Sequence, residues 1–311
     1  MTPTLAQRLE YYSLRGVVRG LAALDWETAC RIGESLGTMG YKPLRIRKDV
    51  VEKQIAAAFP EMTPAQVQTI ARASFAHLGR TAIETALLPG LGTKGLLDLV
   101  KKVDGWEHVE RASAAGRGMV IVAGHHGNWE LLAGYVAARG IPLDVIVRGM
   151  ANPLFDSYLN EIRRALGMTV VHDSEAVKLT PRALREGRAV GFVADQGVLG
   201  LASTYVNFFG RPAKTPRGAA VFALRFNAPV LFFDALRQPD GSYQVVIEPV
   251  EVSLTGDREA DVDAIITRFT ELLEKWVRRV PAQYFWQHRR WKRQPPDTPP
   301  ELRDPTRQVD D

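Results

Sequence analysis

A histidine and a glutamate stand five residues apart in the chain, directly after a short apolar run. The run covers residues 119–123, and the two side chains are His125 and Glu130. A neutral imidazole held beside a carboxylate can take a proton from a hydroxyl group near neutral pH. A helix that begins near Asn128 places Glu130 in its first turn, where the helix dipole favours a carboxylate. We therefore expect Glu130 to bind one ring nitrogen of His125 and to leave the other for a substrate.

A purely structural explanation of this pair is the alternative, because a histidine can cap a turn and a glutamate can stabilise the start of a helix. The change from strand to turn to helix, with Gly-Asn-Trp at residues 127–129, favours the catalytic interpretation. The neighbouring His126 points elsewhere in this arrangement, and we expect it to be structural. The chain has no H-E-x-x-H motif and no Cys/His cluster near His125, so no metal site is expected.

Strand-like and helix-like patterns alternate along the chain from residue 103 onward. The predicted strands cover residues 119–123, 144–147, 169–171, 189–194, 230–233 and 244–248. The predicted helices cover residues 128–139, 153–166, 175–187, 216–226 and 260–278. This alternation predicts an α/β fold with a mostly parallel central sheet flanked by helices. Such sheets place their chemistry at the carboxyl ends of the strands, which is where His125 stands.

The chain divides by composition into three parts. Residues 1–90 are predicted to be helical, with Thr63 as a helix N-cap and a helix end at Pro89-Gly90. Residues 91–293 form the α/β domain. Residues 294–311 are rich in Pro, Asp and Arg with few apolar side chains, so we expect an extended or disordered tail.

Overall composition limits the class of protein and of partner. The 311 residues are 46% hydrophobic and 24% charged, which is ordinary for a globular protein. The net charge of +5 fits an anionic partner, such as an acidic membrane surface, an acidic carrier protein or nucleic acid. The single cysteine, Cys30, excludes an internal disulfide and a cysteine-based zinc site, and it fits a reducing cytoplasm.

Apolar residues near the N-terminus recur at helical spacing without forming a membrane-spanning stretch of roughly 18 residues. They are Leu14, Val17, Val18, Leu21 and Leu24, with Arg15 and Arg19 one turn apart. This pattern is typical of a helix that lies on a membrane surface. The alternative is an amphipathic helix packed on the protein's own core.

The spacing of His125 and Glu130 resembles the HX4(D/E) motif of the glycerolipid-type acyltransferases, and the form H-x-G-N-W-E resembles their lipid A late-acyltransferase branch. Further blocks over roughly residues 40–292 are similar to that family in the same order. They are residues 147–153, the basic pair 163–164, the strand 192–196, the F-F-G-containing stretch 207–218 and the C-terminal stretch 281–292. Five ordered blocks identify the chain as a member of this family. The family usually has a more hydrophobic N-terminal anchor, so we expect peripheral attachment here.

The second block and the basic pair after it supply three candidate substrate-binding residues. Arg148 follows an apolar strand, so its guanidinium is expected at the same edge as His125, where it could hold a phosphate or an oxyanion. A salt bridge from Arg148 to Glu130 or Asp195 is the structural alternative. Asn152 belongs to the same block. Arg164 is a further phosphate candidate, with a solvated helix face as the alternative.

The remaining candidates follow later strands. Asp195 and Gln196 end a predicted strand at the active edge, with capping of a loop as the alternative role for Asp195. Thr215 precedes a proline and reads as a helix N-cap, so the helix that it starts could bind an anion. His288 stands among arginines that suit an anionic head group or carrier, and a role as a second catalytic histidine is the less favoured interpretation.

The resemblance implies an O-acyltransferase that uses no cofactor. It would move an acyl chain from an acyl-carrier-protein or coenzyme A thioester to a hydroxyl of a phosphorylated glycolipid, in the first place a lipid A precursor. The expected location is the cytoplasmic face of the bacterial inner membrane. Phosphatidylinositol mannoside or a lysophospholipid is the alternative acceptor. A non-catalytic basic protein that binds nucleic acid is the distant alternative; no helix-turn-helix, RRM or OB signature supports it, and no nucleic acid is expected.

Overall fold

The structure is a computed structural model that describes residues 3–307. Its N-terminal part consists of the helices α1 (Leu5–Leu21), α2 (Trp26–Tyr41), α3 (Lys48–Ala58) and α4 (Pro64–Leu99). Strands and helices then alternate as β1 (Val100–Asp104), α5 (Trp106–Ala114), β2 (Met119–Ala123), α6 (Trp129–Ala138), β3 (Leu143–Val147), α7 (Pro153–Ala165), β4 (Thr169–His172), α8 (Ala176–Arg185) and β5 (Ala189–Val193). The last elements are β6 (Ser203–Phe208), β7 (Arg211–Pro216), α9 (Gly218–Phe226), β8 (Val230–Arg237), β9 (Tyr243–Pro249) and α10 (Arg258–Arg279).

The central sheet has seven strands in the order β1-β9-β8-β2-β5-β3-β4. All neighbours are parallel except β8 and β9, which are antiparallel. Helices flank this sheet, which confirms the predicted α/β class. The edge strand β1 and the separate antiparallel pair β6–β7 were not predicted from the sequence. Both lie at positions where the apolar pattern is weak, because they are only partly covered.

Strand β2 lies in the middle of the sheet and is buried along its whole length. Val120 and Val122 pack into the core on the side of α9 and α10, whereas Ile121 and Ala123 pack into the core on the side of α6. A parallel strand covered on both faces must be apolar at every position, which explains the unbroken run of apolar residues. The residues that follow β2 are therefore held on a rigid base.

Helix α4 begins as predicted, with Thr63 in a capping box with Gln66. It passes Pro89-Gly90 and kinks at Gly92, whose φ of +61° and ψ of 178° are not helical, and a second helical segment then runs to Leu99. The predicted stop therefore lies close to the observed break, and the difference arises because a proline removes one backbone donor without ending the helix at its own position. Leu88 and Leu96, on the two sides of the kink, are both buried.

Residues 294–307 fold back onto the sheet-bearing part of the protein, and the expectation of an extended or disordered tail was wrong for them. Gln294 Nε2 donates to the carbonyls of Pro212 and Leu302, while Arg211 Nη1 donates to the carbonyls of Glu301 and Arg303. Side-chain donors satisfy the backbone here, so the segment needs few apolar residues of its own. Residues 308–311 lie outside the described part of the chain.

Within residues 3–307, no helix is long and apolar enough to cross a membrane. Two of the predicted apolar residues of α1, Val18 and Leu21, are buried against the protein. Several others of this helix and of the turn after it are exposed, namely Leu5, Leu9, Tyr12, Leu14, Val17 and Leu24. The helix is held beside the start of α7, because Gln7 Nε2 donates to the Ala151 carbonyl.

Candidate active site

Two neighbouring parallel strands bring a histidine and an aspartate to the same point of the sheet edge. Strands β2 and β5 pair in register, with Ala123 opposite Val193. His125 lies two residues beyond Ala123, and Asp195 lies two residues beyond Val193. The Ala194 amide donates to the Ala123 carbonyl and extends the pairing past the strand ends. The side chains of His125 and Asp195 therefore meet at the carboxyl edge, as the position of chemistry in open α/β sheets requires.

The two side chains form a short hydrogen bond, with 2.6 Å between His125 Nδ1 and Asp195 Oδ1. Burial alone would raise the pKa of Asp195, but the charge and hydrogen bond of His125 outweigh it, and the pKa lies below its ordinary value. An ionised carboxylate can only accept a hydrogen bond, so Nδ1 carries the proton. In the neutral ring, Nε2 then has a free lone pair. This is the tautomer that a general base needs.

The His125 side chain is about one-fifth exposed, at 21%, whereas Asp195 is buried at 1%. The Trp129 ring contacts the imidazole edge-on, with 4.9 Å between the ring centroids, and Phe285 lies on it at 6.0 Å. The hydroxyl of Tyr284 donates to the second oxygen of Asp195 at 3.1 Å. Within residues 3–307, His125 Nε2 has no hydrogen-bond partner. The site therefore combines a fixed, buried carboxylate with a reactive nitrogen that a ligand can reach.

Glu130 does not bind His125, which corrects the arrangement expected from the sequence. Both of its oxygens accept from Arg163, at 3.0 Å from Nε and 2.5 Å from Nη2. Glu130 lies in the first turn of α6 as predicted, and it is buried. The bidentate contact uses the oxygens that would have oriented the histidine, and Asp195 occupies the position at Nδ1 instead. Glu130 thus joins α6 to α7 next to the site.

His126, the next residue, fixes the turn that carries His125. His126 is buried, and its Nδ1 bonds to Asp234 of β8 at 2.5 Å, while its Nε2 donates to the Val280 carbonyl at 3.0 Å. The next residue, Gly127, has φ +58°, and a Cβ there would stand 2.0 Å from the Ala235 carbonyl oxygen. Only glycine fits at this close approach of two backbones. The structural role expected for His126 matches these contacts.

The C-terminal stretch, residues 281–292, contacts the turn that carries His125 and completes the site. The Phe285 amide donates to the His125 carbonyl at 2.9 Å, and the Gly127 amide donates to the Gln283 carbonyl at 3.1 Å. Tyr284 lies opposite His126 in an antiparallel β-bridge, and its hydroxyl donates to Asp195. Residues more than 150 positions away along the chain are thus joined to the motif by backbone hydrogen bonds.

A buried polar network supports the same turn from the side of α4. Asn128 caps α6 by accepting from the Leu131 amide, and its Nδ2 donates to Glu84 at 2.9 Å. Arg237 donates to Glu84 and to His77 Nδ1, so the other ring nitrogen of His77 donates to the Gly127 carbonyl at 3.0 Å. Burial lowers the pKa of His77, and the charge of Arg237 adds to this. The network therefore holds a neutral histidine against the motif.

Within residues 3–307, three predicted substrate-binding residues make no hydrogen bond or ion pair with His125. Arg148 is more than half exposed, and its nearest carboxylate is that of Asp173 at 3.9 Å, not Glu130 or Asp195. Asn152 caps α7 by accepting from the Leu154 amide and donates to the Gln7 carbonyl of α1. Arg164 is exposed at the end of α7. Its neighbour Arg163, which the sequence analysis did not select, is the one that reaches Glu130.

Gln196 directly follows Asp195 and is half-buried. Thr215 is not a helix N-cap, so that prediction was wrong: it lies in β7, and α9 begins only at Gly218. The Pro216 that suggested a helix start instead ends a strand. Thr215 is fully buried and accepts from Arg290 Nη2 at 2.7 Å. It supports the C-terminal stretch and forms no anion site at a helix terminus.

Tyr284 and Arg290 are further parts of the site that were not predicted from the sequence. Both belong to the C-terminal stretch whose resemblance to the family was recognised, so a signal was present, but its contacts with Asp195 depend on tertiary packing. Arg290 is buried and makes no ion pair within residues 3–307; its charge helps to keep the pKa of Asp195 low. No group of three or more His, Cys, Asp or Glu residues that could hold a metal occurs in the described part of the chain.

Comparison with known proteins finds relatives along nearly the whole chain. A profile of the bacterial lipid A biosynthesis acyltransferases matches residues 5–293. The lipid A biosynthesis lauroyltransferase of Escherichia coli (strain K12) is 26% identical over 286 residues, which are 91% of this chain and 92% of that protein. The palmitoleoyltransferase of the same strain is 26% identical over 90% of both chains. A phosphatidylinositol mannoside acyltransferase of Mycobacterium tuberculosis (strain ATCC 25618 / H37Rv) is 28% identical over 64% of both chains.

The α/β fold and the similarity to these relatives together identify the protein as an acyltransferase. The chain belongs to the bacterial lipid A biosynthesis acyltransferase family, because the family profile covers residues 5–293 of its 311 residues.

Proposed function

We propose that the protein transfers a fatty acyl chain from an acyl-carrier-protein or coenzyme A thioester to a hydroxyl of a membrane glycolipid, with His125 as the general base. The observation that carries this proposal is the hydrogen bond from His125 Nδ1 to the buried Asp195. It leaves Nε2 as the basic nitrogen at the edge of the sheet where a substrate can bind. Residues 5–293 match an acyltransferase family, which supports acyl transfer as the reaction.

In this mechanism the acceptor hydroxyl loses its proton to His125 Nε2 as its oxygen attacks the thioester carbonyl carbon. The C–S bond then breaks, and the imidazolium returns the proton to the leaving thiolate. Asp195 stabilises the imidazolium between these steps, because a buried carboxylate at 2.6 Å interacts strongly with a positive ring. No acyl-enzyme intermediate is needed. Burial raises the pKa of the Cys30 thiol to about 12, so this thiol is no candidate nucleophile.

Glu130 acts in this proposal as a positioning residue. Its bidentate bond to Arg163 ties the first turn of α6 to α7 and so fixes Trp129, which packs against the His125 ring. Arg148, Asn152, Arg164, Asp195, Gln196 and Thr215 were proposed as substrate-binding residues from the sequence, and Asp195 is now reassigned to orienting His125. Of these, we retain Arg148 and Arg164 as exposed cations for the acceptor and Gln196 as a neighbour of Asp195. Asn152 and Thr215 are engaged in local hydrogen bonds.

The acceptor that we propose first is a phosphorylated lipid A precursor, since the relatives that match about 90% of this chain are named lipid A acyltransferases. The second candidate is a mannosylated phosphatidylinositol, which the name of the mycobacterial relative supports over 64% of the chain. We propose that the enzyme works at the cytoplasmic face of the inner membrane as a peripheral protein. The exposed apolar residues of α1 lie beside α7 and provide a surface for that contact.

The test is an assay of the wild type and of His125→Ala with acyl-carrier-protein and coenzyme A thioesters and three acceptors: lipid IVA, a phosphatidylinositol mannoside and a lysophospholipid. We expect transfer to lipid IVA by the wild type and its loss in the variant. The matched control is His108→Ala, which removes a half-buried histidine of α5. Full activity of a folded His125→Ala enzyme would rule out His125 as the base. Transfer only to another acceptor would retain the mechanism and replace the substrate.

A further inference from the structure

Of four cations, three follow His288 in the chain, and the fourth lies at the start of α3, where it contacts the neighbouring Gln287. We call them the cationic cluster: Arg47, Arg289, Lys292 and Arg293. Lys292 Nζ donates to His288 Nε2 at 3.0 Å, so that nitrogen is an acceptor and the ring is neutral. Burial and the charge of Lys292 lower the pKa of His288 to about 3. The histidine therefore contributes no neutralising or additional charge and only orients the ammonium group.

Within residues 3–307, the cationic cluster has fewer carboxylate partners than cations. Arg289 pairs with Asp304 at 2.6 Å, and none of the other three cations pairs with a carboxylate there. Arg47 donates to the Gln287 carbonyl at 3.0 Å, and Arg293 donates to the Gly197 carbonyl at 2.6 Å. Carbonyl oxygens fix the positions of these guanidinium groups without neutralising them. Repulsion among neighbouring cations is costly unless an anion binds.

Two effects on the side chains agree with this excess of positive charge. The pKa of Lys292 is lowered, by burial and then by the charges of Arg293, Arg289 and Arg47. The Nε atom of Arg289 is buried and has no hydrogen-bond partner within residues 3–307. An anion at this place would relieve the repulsion and offer oxygen atoms to several donors at once.

The backbone that carries the cluster is rigid and leads directly to the proposed general base. Gln54 is fully buried; its Nε2 donates to the carbonyls of Trp286 and His288, and its Oε1 accepts from the Arg290 amide. At the near end, the Phe285 amide bonds to the His125 carbonyl. At the far end, Arg293 holds Gly197, two residues after Asp195. The C-terminal stretch thus joins the cluster to the turn that carries His125 and to the loop after Asp195.

We propose that the cationic cluster binds a phosphate ester group of a substrate and so places the reacting atoms at His125. This proposal rests on the proposed function and adds the residues that recognise the phosphate. The phosphate can come from two sources, the phosphopantetheine part of the thioester donor or the phosphorylated head of the acceptor glycolipid. Arginine and lysine donors suit both, because either group presents several anionic oxygens.

The test measures binding without turnover, in the full-length protein, by calorimetry. Coenzyme A is compared with pantetheine, which lacks phosphate, and phosphorylated lipid IVA is compared with its dephosphorylated form. The variants are Lys292→Gln and Arg293→Gln. The control is Lys178→Gln, which removes one exposed lysine of α8 and changes the net charge by the same amount. His125→Ala is included, and the binding proposal expects it to retain the wild-type affinity.

We expect the wild type to bind the phosphorylated probes better than the unphosphorylated ones, and each cluster variant to lose about tenfold in affinity, as for a charge-assisted hydrogen bond. A loss confined to coenzyme A assigns the site to the donor, and a loss confined to lipid IVA assigns it to the acceptor. Unchanged affinity of both variants for both probes overturns the proposal, as does a wild type that binds neither. A folded His125→Ala enzyme that keeps full turnover contradicts the proposed function without touching this result.

Discussion

Asp195 accepts a hydrogen bond from His125 Nδ1 over 2.6 Å, and the two residues follow positions that face each other in the parallel strands β2 and β5. The contact is therefore built by the sheet itself, and the orientation of the ring does not depend on a flexible loop. Tyr284 donates to the other carboxylate oxygen and closes the arrangement on the far side. We infer that the imidazole is held in one tautomer before any substrate binds.

The first prediction concerns the charge of Asp195. Asp195→Asn keeps the size of the side chain but removes the negative charge that stabilises a protonated His125. We expect kcat to fall by about 100- to 10,000-fold, with a smaller change in the KM for the donor. Steady-state kinetics measures this loss, and circular dichroism checks that the variant is folded.

Asp144→Asn is the matched control for that variant. Asp144 is a buried carboxylate of the same sheet and bonds to Arg188, but it lies near the amino end of β3, away from the edge that carries His125. We expect its kcat to stay within a few-fold of the wild type, as for any change remote from the reacting groups. A kcat for Asp195→Asn that is equally close to the wild-type value would remove Asp195 from the mechanism.

The second prediction is a pH dependence of stability. The pKa of Asp195 lies below its ordinary value in the folded protein, so the folded state binds fewer protons than the unfolded state as the pH falls through the carboxyl range. The stabilisation from this group is present above about pH 4 and is lost on further acidification. The free energy of unfolding should therefore fall less steeply with acid in Asp195→Asn than in the wild type. Urea unfolding between pH 3 and pH 6 measures the two slopes, and parallel curves would contradict the assignment.

The third prediction separates anchoring from catalysis at Glu130. Its oxygens are both occupied by Arg163, and the pair is largely buried, with 7% and 15% of the two side chains exposed. Removing either partner leaves an uncompensated charge, so Glu130→Gln and Arg163→Gln should each lower the free energy of unfolding by about 2–4 kcal/mol. If the pair acts as one unit, the double variant is no worse than the single ones in stability or in kcat.

The readout that decides between the roles of Glu130 is the pH profile of kcat. A residue that only positions α6 and Trp129 lowers kcat and leaves the profile unchanged, and Arg163→Gln must then reproduce the effect. A shifted profile in Glu130→Gln alone, with no shift in Arg163→Gln, would show instead that Glu130 contacts the reacting groups.

The fourth prediction compares two glycines with positive φ. At Gly127 an added Cβ would meet the Ala235 carbonyl at 2.0 Å, whereas at Gly140, with φ +85°, it would meet nothing within 4 Å. Gly140→Ala should cost about 1 kcal/mol from backbone strain alone. Gly127→Ala must also push β8 away from the motif turn, so it should cost several-fold more and reduce activity. Equal losses of stability in thermal unfolding would show that the close approach at Gly127 is unimportant.

The sequence predicted the edge of the sheet where the site lies, and it selected both His125 and Asp195, yet it paired His125 with the wrong carboxylate. The reason is that HX4E spacing is a local signal, whereas the contact with Asp195 depends on β5 being the neighbour of β2. Strand order is a tertiary property and cannot be read from hydrophobic periodicity. Once the order is known, the position two residues beyond each strand end is the signal that identifies the pair.

The other corrections have the same origin. Thr215 and Pro216 carry a helix-start signature, but pairing with β6 draws them into a strand. Helix α4 passes Pro89 and kinks at Gly92 instead, with the buried Leu88 and Leu96 on the two sides of the kink. Residues 294–307 are ordered by donors such as Arg211 that come from elsewhere in the chain. In each case a local propensity was overridden by contacts that are distant in sequence.

The fifth prediction tests the exposed face of α1 as a surface for membrane contact. Leu5 and Leu9 are 74% and 61% exposed, one helical turn apart, while Arg15 stacks on the Tyr158 ring at 4.3 Å and keeps the helix on α7. Because burial of a leucine contributes about 1.5–3 kcal/mol, replacing both leucines by glutamine should weaken vesicle binding at least about tenfold. Sedimentation with vesicles that contain anionic phospholipid measures this. Val177→Gln is the control, since Val177 is 76% exposed on α8 and does not belong to that surface. Equal weakening by the control would show that binding follows general surface hydrophobicity, and α1 would then not be the site of contact.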